Sequence, residues 1–307
     1  MTDPVSNTAD APLVTDGPWT GLDRGRHFFE NVEIASLLDR ARRYVRAGVC
    51  VHFSGPAGLG KTSLALRLAR SLGRPVAFMA GNDWLNAQDF IGRSVGQSMS
   101  TLVDRYVQTV RRTESDVRAH WRDSILASAM TRGDTLVYDE FTRAAPEANA
   151  ILLSVLEEGV LVSTDPANPR TYLQAHPDFR VILTSNPHDY VAVNGAPDAL
   201  LDRLVTFPLD RLSSETVAGI VAARSGLPPA ETRRIVALVD ALRRDRADRH
   251  AASMRAAILI ARIIASERTG FRGEDILLQV ATDVLVGRGL AATAAEVAAA
   301  LRPGAAA

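Results

Sequence analysis

The chain has 307 residues with 35 basic and 35 acidic side chains, so its formal net charge of zero gives no general attraction to nucleic acid or to an acidic membrane. Hydrophobic residues make up 47% and charged residues 23%, which predicts a globular protein with a full core and excludes a largely disordered chain. The single cysteine cannot form an internal disulfide, and since neither a signal peptide nor a membrane-spanning run is evident, we expect a cytoplasmic protein without membrane or nucleic-acid partners.

The first predicted elements lead to a phosphate-binding loop. Residues 1–20 lack apolar periodicity and are predicted to form a disordered tail, whereas residues 31–47 carry apolar residues at helical spacing. A β-prone run over 49–53 then leads into the sequence Gly55-Pro-Ala-Gly-Leu-Gly-Lys-Thr62. This sequence matches G-x-x-x-x-G-K-[ST] in the context that the motif requires, after a strand and before a helix.

The motif predicts that the chain binds a nucleoside triphosphate, which we expect to be ATP. Lys61 is the only lysine in a chain that otherwise uses arginine, and this argues against a merely structural glycine-rich turn. The glycines allow backbone N–H groups to turn towards a phosphate, and the helix beginning near Lys61 adds its positive end. Lys61 can reach the β- and γ-phosphates, while the Thr62 hydroxyl suits Mg²⁺. The predicted nucleotide ligands are Gly55, Pro56, Ala57, Gly58, Leu59, Gly60, Lys61, Thr62, Ser63 and Asp139.

The segment after the P-loop helix is less regular. Residues 74–80 predict a second buried strand, and a helical stretch is predicted over 102–112. Two segments are candidates for facing a central pore or a partner: residues 159–174, further along the chain, and the loop between these two elements, residues 82–95. Trp84 and Phe90 in this loop could grip a client protein, or could equally pack the segment into the body of the protein.

Two carboxylates, Asp139 and Glu140, end the next predicted strand, which begins near residue 133. Ligands lie at the carboxyl ends of the strands in open α/β sheets, so both acids are expected near the nucleotide. Asp139 is predicted to hold Mg²⁺ together with Thr62, and Glu140 to polarise an attacking water. The alternative is a capping pair that opens the next helix, but the P-loop upstream favours the catalytic interpretation.

A polar amide, Asn186, follows another predicted strand. Two β-prone runs at 159–163 and 170–174 first flank a Pro/Asn-rich loop and predict a hairpin. The strand 179–185 then ends at Asn186-Pro187. The Asn186 amide could orient the hydrolytic water, although an Asn-Pro turn would explain the dipeptide alone.

The last part of the chain changes from alternating strands and helices to helices alone. Residues 204–209 predict a fifth strand, which indicates an α/β fold with a three-layer P-loop NTPase core, a five-stranded parallel sheet and a small all-α lid. The charge run at 243–249 alternates in sign, which is typical of a solvated helix face. The predicted domain limits are 1–20 for a disordered tail, 21–210 for the nucleotide-binding domain, 211–302 for the helical lid and 303–307 for a second tail.

The order of these motifs resembles that of the AAA+ ATPases. The hairpin after residue 159 and the inserted segment after residue 81 are similar to those of the MoxR-like branch. Most closely, the chain resembles the gas vesicle protein N family, over roughly residues 30–265. The stretches that carry this resemblance are Thr135-Leu-Val-Tyr-Asp-Glu-Phe141, Pro146-Glu-Ala-Asn149, Leu153-Ser-Val-Leu-Glu-Glu158, His176-Pro-Asp-Phe179, Thr184-Ser-Asn-Pro187 and Asp198-Ala-Leu-Leu-Asp-Arg-Leu204.

The resemblance also implies roles for two arginines. Arg203 resembles the arginine finger that contacts nucleotide in the neighbouring subunit, and Arg255 resembles the sensor arginine of the lid. Either guanidinium could clamp charge that develops on a γ-phosphate, and with Glu140 and Asn186 they complete the predicted catalytic set. The alternatives are an ion pair with Asp202 for Arg203 and a plain surface position for Arg255. A finger that acts in trans implies a closed ring, expected to be a homohexamer.

The function implied is a Mg²⁺-dependent ATPase that acts as a chaperone-like assembly factor on gas vesicle shell or accessory proteins. A MoxR-like chaperone that inserts a metal or cofactor into another enzyme would use the same machinery on a different client. A DNA-acting motor is disfavoured because the net charge is zero, and a small-molecule kinase would not need Arg203 from a neighbour.

Overall fold

The computed structural model describes residues 28–103, 113–163, 165, 168, 170–186, 198–244, 253–267, 274–287 and 293–301. The predicted tails at 1–20 and 303–307 lie outside these residues, as does most of the charge run at 243–249. Within the described ranges, no helix has both the length and the apolar character needed to cross a membrane.

A five-stranded parallel sheet lies at the centre of the α/β part, as predicted. The strands of the structure are β1 Cys50–Ser54, β2 Val76–Ala80, β3 Gly92–Val103, β4 Thr113–Asp123, β5 Thr135–Asp139, β6 Val160–Val162, β7 Tyr172–Gln174, β8 Arg180–Ser185 and β9 Leu204–Pro208. The central sheet has the order β2-β5-β8-β1-β9, and each neighbouring pair is parallel. The carboxyl ends of these strands therefore share one edge, where the P-loop and the two carboxylates come together.

Helices cover both faces of this sheet. The helices are α1 Val32–Arg46, α2 Lys61–Arg70, α3 Ala87–Ile91, α4 Ile125–Arg132, α5 Pro146–Asn149, α6 Ile151–Glu157, α7 Asp198–Leu201, α8 Ser214–Ser225, α9 Pro229–Arg244, α10 Ser253–Ser266, α11 Glu274–Gly287 and α12 Ala294–Leu301. Leu136 and Tyr138 of β5 belong to a core built with α3, α4 and α6, whereas Val137 between them belongs to a core built with α1 and α2. This alternation follows the two-residue period of a strand, and it produces the predicted three layers.

The segment 92–123 differs from its prediction. Instead of a helix beginning at Leu102, β3 continues through Leu102 and Val103 and pairs with β4 as an antiparallel ribbon, from Gly92 opposite Asp123 to Val103 opposite Thr113. The rest of the predicted helix, 104–112, lies outside the described residues. The helix prediction considered only local spacing, whereas the ribbon depends on pairing between two separated segments, which local propensity does not capture.

The hairpin predicted from the runs 159–163 and 170–174 is confirmed. β6 and β7 pair antiparallel, with Val160 opposite Gln174 and Val162 opposite Tyr172. Val162 and Tyr172 are both exposed, so this hairpin presents an apolar pair to solvent.

The helices after β9 surround a core of their own and dock onto α1. Ser213 caps α8, because its hydroxyl accepts the Thr216 N–H at 3.2 Å. Glu33, in the first turn of α1, accepts hydrogen bonds from the Ser213 hydroxyl at 2.6 Å and from the Thr216 hydroxyl. Burial raises the pKa of Glu33, but these hydrogen bonds outweigh it and lower the pKa overall. The helical part is thus anchored to the α/β part, while its exact limits at 211 and 302 stay a prediction.

Candidate nucleotide-binding site

The predicted phosphate loop lies between the end of β1 and the start of α2. Gly55 opens it in a close approach to the segment after β9, because a Cβ at this position would lie 2.3 Å from the Leu209 carbonyl oxygen. Only glycine fits there. Gly60 is the N-cap residue of α2 and supplies no side-chain cap, so the first turn of α2 keeps its N–H groups for an anion.

Lys61 is almost fully buried, at 7% exposure. Its Nζ donates a hydrogen bond to the Pro56 carbonyl oxygen at 2.8 Å, which holds the ammonium over the loop that precedes it. A buried ammonium is costly unless it is paired or hydrogen-bonded. The side chain therefore occupies the place where the motif requires a cation for the β- and γ-phosphates.

The predicted metal ligands, Thr62 and Asp139, are brought together. The Thr62 hydroxyl donates to Asp139 Oδ1 at 2.7 Å, although the two residues are 77 positions apart. One carboxylate and one hydroxyl are the hard oxygen donors that Mg²⁺ takes beside substrate phosphates, so this pair fits the ion. In the described part of the chain, no group of three or more His, Cys, Asp or Glu side chains could hold a metal by itself.

Sequence reasoning missed Thr184, which organises both acids. Its fully buried hydroxyl donates to Asp139 Oδ1 at 2.5 Å and accepts the Glu140 N–H at 3.0 Å. Tyr138 is paired with Leu183, so the next residues along β5 and β8 are level with each other. A threonine that directly follows the apolar run Val181 to Leu183 of β8, near the end of the strand, was the signal that could have revealed it.

Glu140 adopts a strained backbone conformation. Its φ is 52°, and among the described residues it alone, apart from glycines, has a positive φ. Its carbonyl accepts the Arg143 N–H at 3.0 Å, and a Cβ on Gly81 would lie 2.1 Å from the same carbonyl oxygen. Such strain persists only where the surroundings impose it, and it often marks functional positions.

The Glu140 side chain is also held. Arg143 Nε lies 2.9 Å from Glu140 Oε2. This pairing turns the carboxylate towards the short 3-10 helix Phe141–Arg143. Arg143 therefore lies beside the predicted catalytic acid.

Asn186 lies directly after β8 and is buried, with 8% exposure. The Gly55 N–H donates to the carbonyl of the preceding residue, Ser185, at 3.3 Å, so the end of β8 touches the P-loop. The amide is therefore at the sheet edge where an attacking water would approach a bound nucleotide.

A buried histidine, also missed from the sequence, links three strands beneath this edge. His52 of β1 has its Nε2 2.8 Å from Ser185 Oγ and its Nδ1 3.0 Å from Thr206 Oγ1. Burial, followed by the positive charge of Lys61, lowers the pKa of His52 to about 4. The imidazole is therefore neutral near pH 7 and acts as a fixed hydrogen-bonding bridge.

The structure places Arg203 far from the P-loop of its own chain. Leu204, the next residue, is paired with Cys50, which lies five positions before Gly55 along β1. Arg203 is one residue further from the loop, so at about 3.3 Å per residue its backbone lies roughly 20 Å from Gly55 along the sheet. Among the described residues, Arg203 forms an ion pair with Glu157 at 2.7 Å, and not with Asp202.

Arg255 lies at the start of α10 and is exposed. The preceding residue, Met254, reaches the P-loop, because a Cβ placed on Gly60 would lie 3.8 Å from Met254 Cε. Met254 also lines a narrow cavity between the loop and the helical part, together with Leu59, Leu212 and Val217. The start of α10 is thus next to the predicted phosphate site.

The two aromatic residues of the segment 82–95 have different environments. Phe90 is fully buried and packs against Tyr138, with ring centroids 5.8 Å apart, so it belongs to the core. Trp84 is 88% exposed. Of the two, only Trp84 is available to a client.

Comparisons with known proteins agree with the fold. The AAA domain family (dynein-related subfamily) matches residues 51–204. Among solved structures, the RuvB Holliday junction branch migration motor of Thermotoga maritima aligns with a TM-score of 0.50 and 18% identity, over 82% of this chain and 69% of that chain. At this identity the likeness concerns the fold alone.

Relatives in sequence narrow the family. The chain is 38% identical to the gas vesicle ATPase GvpN of Ancylobacter aquaticus, over 85% of this chain and 73% of that protein. Protein CbbQ of Hydrogenophilus thermoluteolus is more distant, with 24% identity over 59% of this chain and 61% of that protein. The chain thus combines a P-loop core and its two acids with a helical part after the fifth core strand, and it shares this degree of identity with a GvpN protein. It belongs to the gas vesicle ATPase GvpN family of AAA ATPases.

Proposed function

We propose that the protein hydrolyses ATP with Mg²⁺, works as a ring of identical subunits and acts as a chaperone-like assembly factor on a protein of the gas vesicle. The observation that carries the ATPase part is the network at the mouth of the P-loop. One hydroxyl, that of Thr184, fixes Asp139 and the Glu140 backbone, and Asp139 in turn accepts from Thr62.

Each predicted residue has a definite task in this proposal. The loop residues Gly55 to Ser63, Lys61 among them, bind the phosphates. Thr62 and Asp139 would hold Mg²⁺, which would supply positive charge to neutralise the phosphates. Glu140 polarises the attacking water and Asn186 orients it. Arg255 of the lid clamps the nucleotide from its own subunit.

The ring follows from Arg203. The backbone of Arg203 lies roughly 20 Å below its own P-loop, at about 3.3 Å per residue, so its guanidinium cannot reach its own γ-phosphate, whereas a neighbour's finger can. The interface is then head-to-tail, and closure of the rotation gives a ring, which we propose to be a hexamer. In the absence of the finger, the site would bind ATP but turn it over slowly.

The gas vesicle role rests on the relatives, which carry that name. Nucleotide would hold the lid and the neighbouring Arg203 in one arrangement, and hydrolysis would release them, so that the motion does work on the client. Exposed Trp84 and the Val162–Tyr172 pair are the apolar groups proposed to touch it. The rival client, an enzyme that receives a metal or cofactor, is less supported because the relatives outside the GvpN family are more distant. We propose a cytoplasmic protein that associates with gas vesicles.

The test is the ATPase rate as a function of protein concentration, with sizing of the same samples. Wild type should show a specific activity that rises as the ring assembles. Arg203→Ala should bind ATP normally and lose about a thousandfold or more in turnover, as arginine fingers do. Full turnover by a monomer, unaffected by Arg203→Ala, would refute the ring and favour a kinase or switch.

A further inference from the structure

The Arg203 side chain is held in one orientation by two separate elements. Its Nε and Nη2 donate to Glu157 Oε2 at 3.1 and 2.7 Å, and its Nη1 donates to the Ala199 carbonyl oxygen at 2.5 Å. Arginine has five N–H groups, and acceptors among the described residues use three of them. The remaining two, one on each terminal nitrogen, form the planar fork that binds phosphate.

Both acceptors are on well-fixed helices. Glu157 is the last residue of α6, whose Leu152 and Val155 are buried in the core. Ala199 lies in α7, the short helix that ends just before Arg203. Because α6 and α7 pack against each other, the carboxylate and the carbonyl hold the guanidinium from two sides.

We propose that Glu157 is a positioning residue for catalysis: it aims Arg203 of each subunit at the nucleotide of the neighbouring subunit. The inference rests on the proposed function, since it requires Arg203 to act in trans. An arginine has many rotamers, and an exposed finger would have to be ordered at each turnover. Glu157 orders it in advance, and preorganised charge is what stabilises a phosphoryl-transfer transition state.

Removal of the charge on Glu157 should therefore lower turnover and leave nucleotide binding intact. For Glu157→Gln we expect a loss in kcat of about tenfold to a hundredfold, because small misplacements of a catalytic group have effects of this size. The KM for ATP and the assembly of the ring should not change. Glu158→Gln is the matched control: Glu158 is the adjacent exposed carboxylate, and Arg203 binds Glu157 instead.

The decisive test is mixing of subunits. Glu140→Gln subunits cannot activate water but carry an intact Glu157 and Arg203, whereas Glu157→Gln subunits have an intact site and a misaligned finger. When the two inactive or weak variants are mixed in equal amounts, about a quarter of the interfaces of a head-to-tail ring combine the two intact halves. ATPase activity should then rise well above the mean of the two separate preparations.

A purely structural role for Glu157 would not produce this recovery. A generally damaged subunit would also have a damaged site of its own, so the mixture would stay inactive. The same mixture with Arg203→Ala in place of Glu157→Gln distinguishes a failure of the positioning role of Glu157 from a failure of Arg203 to act in trans. If that mixture recovers and the Glu157→Gln mixture does not, or if Glu157→Gln alone is as active as Glu158→Gln, the positioning role is wrong and the ring stands. If neither mixture recovers, action in trans is wrong, and the role of Glu157 is refuted with it.

Discussion

At the scale of single residues, Thr184 connects the two acids on which the chemistry depends. Thr184→Val keeps the shape of the side chain and removes the hydroxyl, so Asp139 loses one donor and the Glu140 N–H loses its acceptor. We expect kcat to fall by about tenfold or more, since the acids lose their alignment, and unfolding free energy to fall by about 1–3 kcal/mol, the usual cost of an unsatisfied buried group.

Steady-state ATPase assays and urea unfolding would measure both effects. Thr184→Ser is the control, because it keeps a hydroxyl at the same position and should retain most of the activity. A Thr184→Val protein with wild-type kcat would show that Asp139 and Glu140 do not depend on this hydroxyl.

His52 makes stability depend on pH in a defined direction. The pKa of its folded state is about 4, below the ordinary value of 6.5, because the imidazole is buried and lies near Lys61. The unfolded chain therefore takes up a proton between these two values while the folded chain does not, so stability falls as pH decreases from about 6.5 towards 4. The contribution reaches about 3 kcal/mol at the lower end, at 1.36 kcal/mol per pKa unit.

The measurement is the unfolding free energy at pH 7 and at pH 5 for wild type and His52→Gln. The variant lacks the titrating ring, so its stability should fall less over this interval than that of wild type. Equal losses in the two proteins would contradict the buried neutral imidazole.

At the scale of elements, the strained turn after β5 is supported by β2. The Gly81 N–H donates to the Asp139 carbonyl at 2.7 Å, and a Cβ on Gly81 would lie 2.1 Å from the Glu140 carbonyl oxygen. Gly81→Ala must therefore displace the Glu140 backbone. We expect ATP binding to persist and turnover to fall by about tenfold or more, because a shift of the catalytic acid misaligns the water.

Single-turnover kinetics with separate measurement of ATP affinity would test this. Gly287→Ala is the control, since nothing lies within 4 Å of a Cβ built there. If Gly81→Ala turns over ATP as fast as Gly287→Ala, the contact between β2 and the Glu140 turn has no catalytic importance.

The core strands and their motifs could be predicted because each is signalled locally. The runs of β1 and β5 lead directly into motifs that can be recognised without knowledge of the fold, namely the P-loop and Asp139-Glu140. The ribbon of β3 and β4 could not be predicted in this way. Gly92 and Asp123 meet across 31 residues of chain, and no local pattern specifies that pairing.

At the scale of the whole molecule, the residues that support the site could not be predicted from local sequence patterns either. The motif identified Arg203, but its partner Glu157 is 46 residues away, and only the packing of α6 against α7 brings them together. The roles of Thr184 and His52 could likewise not be predicted, because the function of a hydroxyl or an imidazole within a strand depends on its neighbours in the sheet.

Assembly should respond to nucleotide because the proposed site is completed by two subunits. A ligand that binds the assembled form more tightly shifts the equilibrium towards it, by about 2.7 kcal/mol at a hundredfold excess over its Kd. Glu140→Gln should bind ATP and not hydrolyse it, so in ATP and Mg²⁺ it should remain a ring at dilutions where wild type dissociates.

Lys61→Ala lacks the phosphate-binding ammonium, and its mass in sedimentation should be the same with and without ATP. Omission of Mg²⁺ should weaken the ATP effect on Glu140→Gln, since Thr62 and Asp139 would then have no ion to share with the phosphates. Equal assembly of Lys61→Ala and Glu140→Gln in ATP would mean that the subunits associate through surfaces that do not involve the nucleotide, and Arg203 would then have no γ-phosphate to reach across the interface.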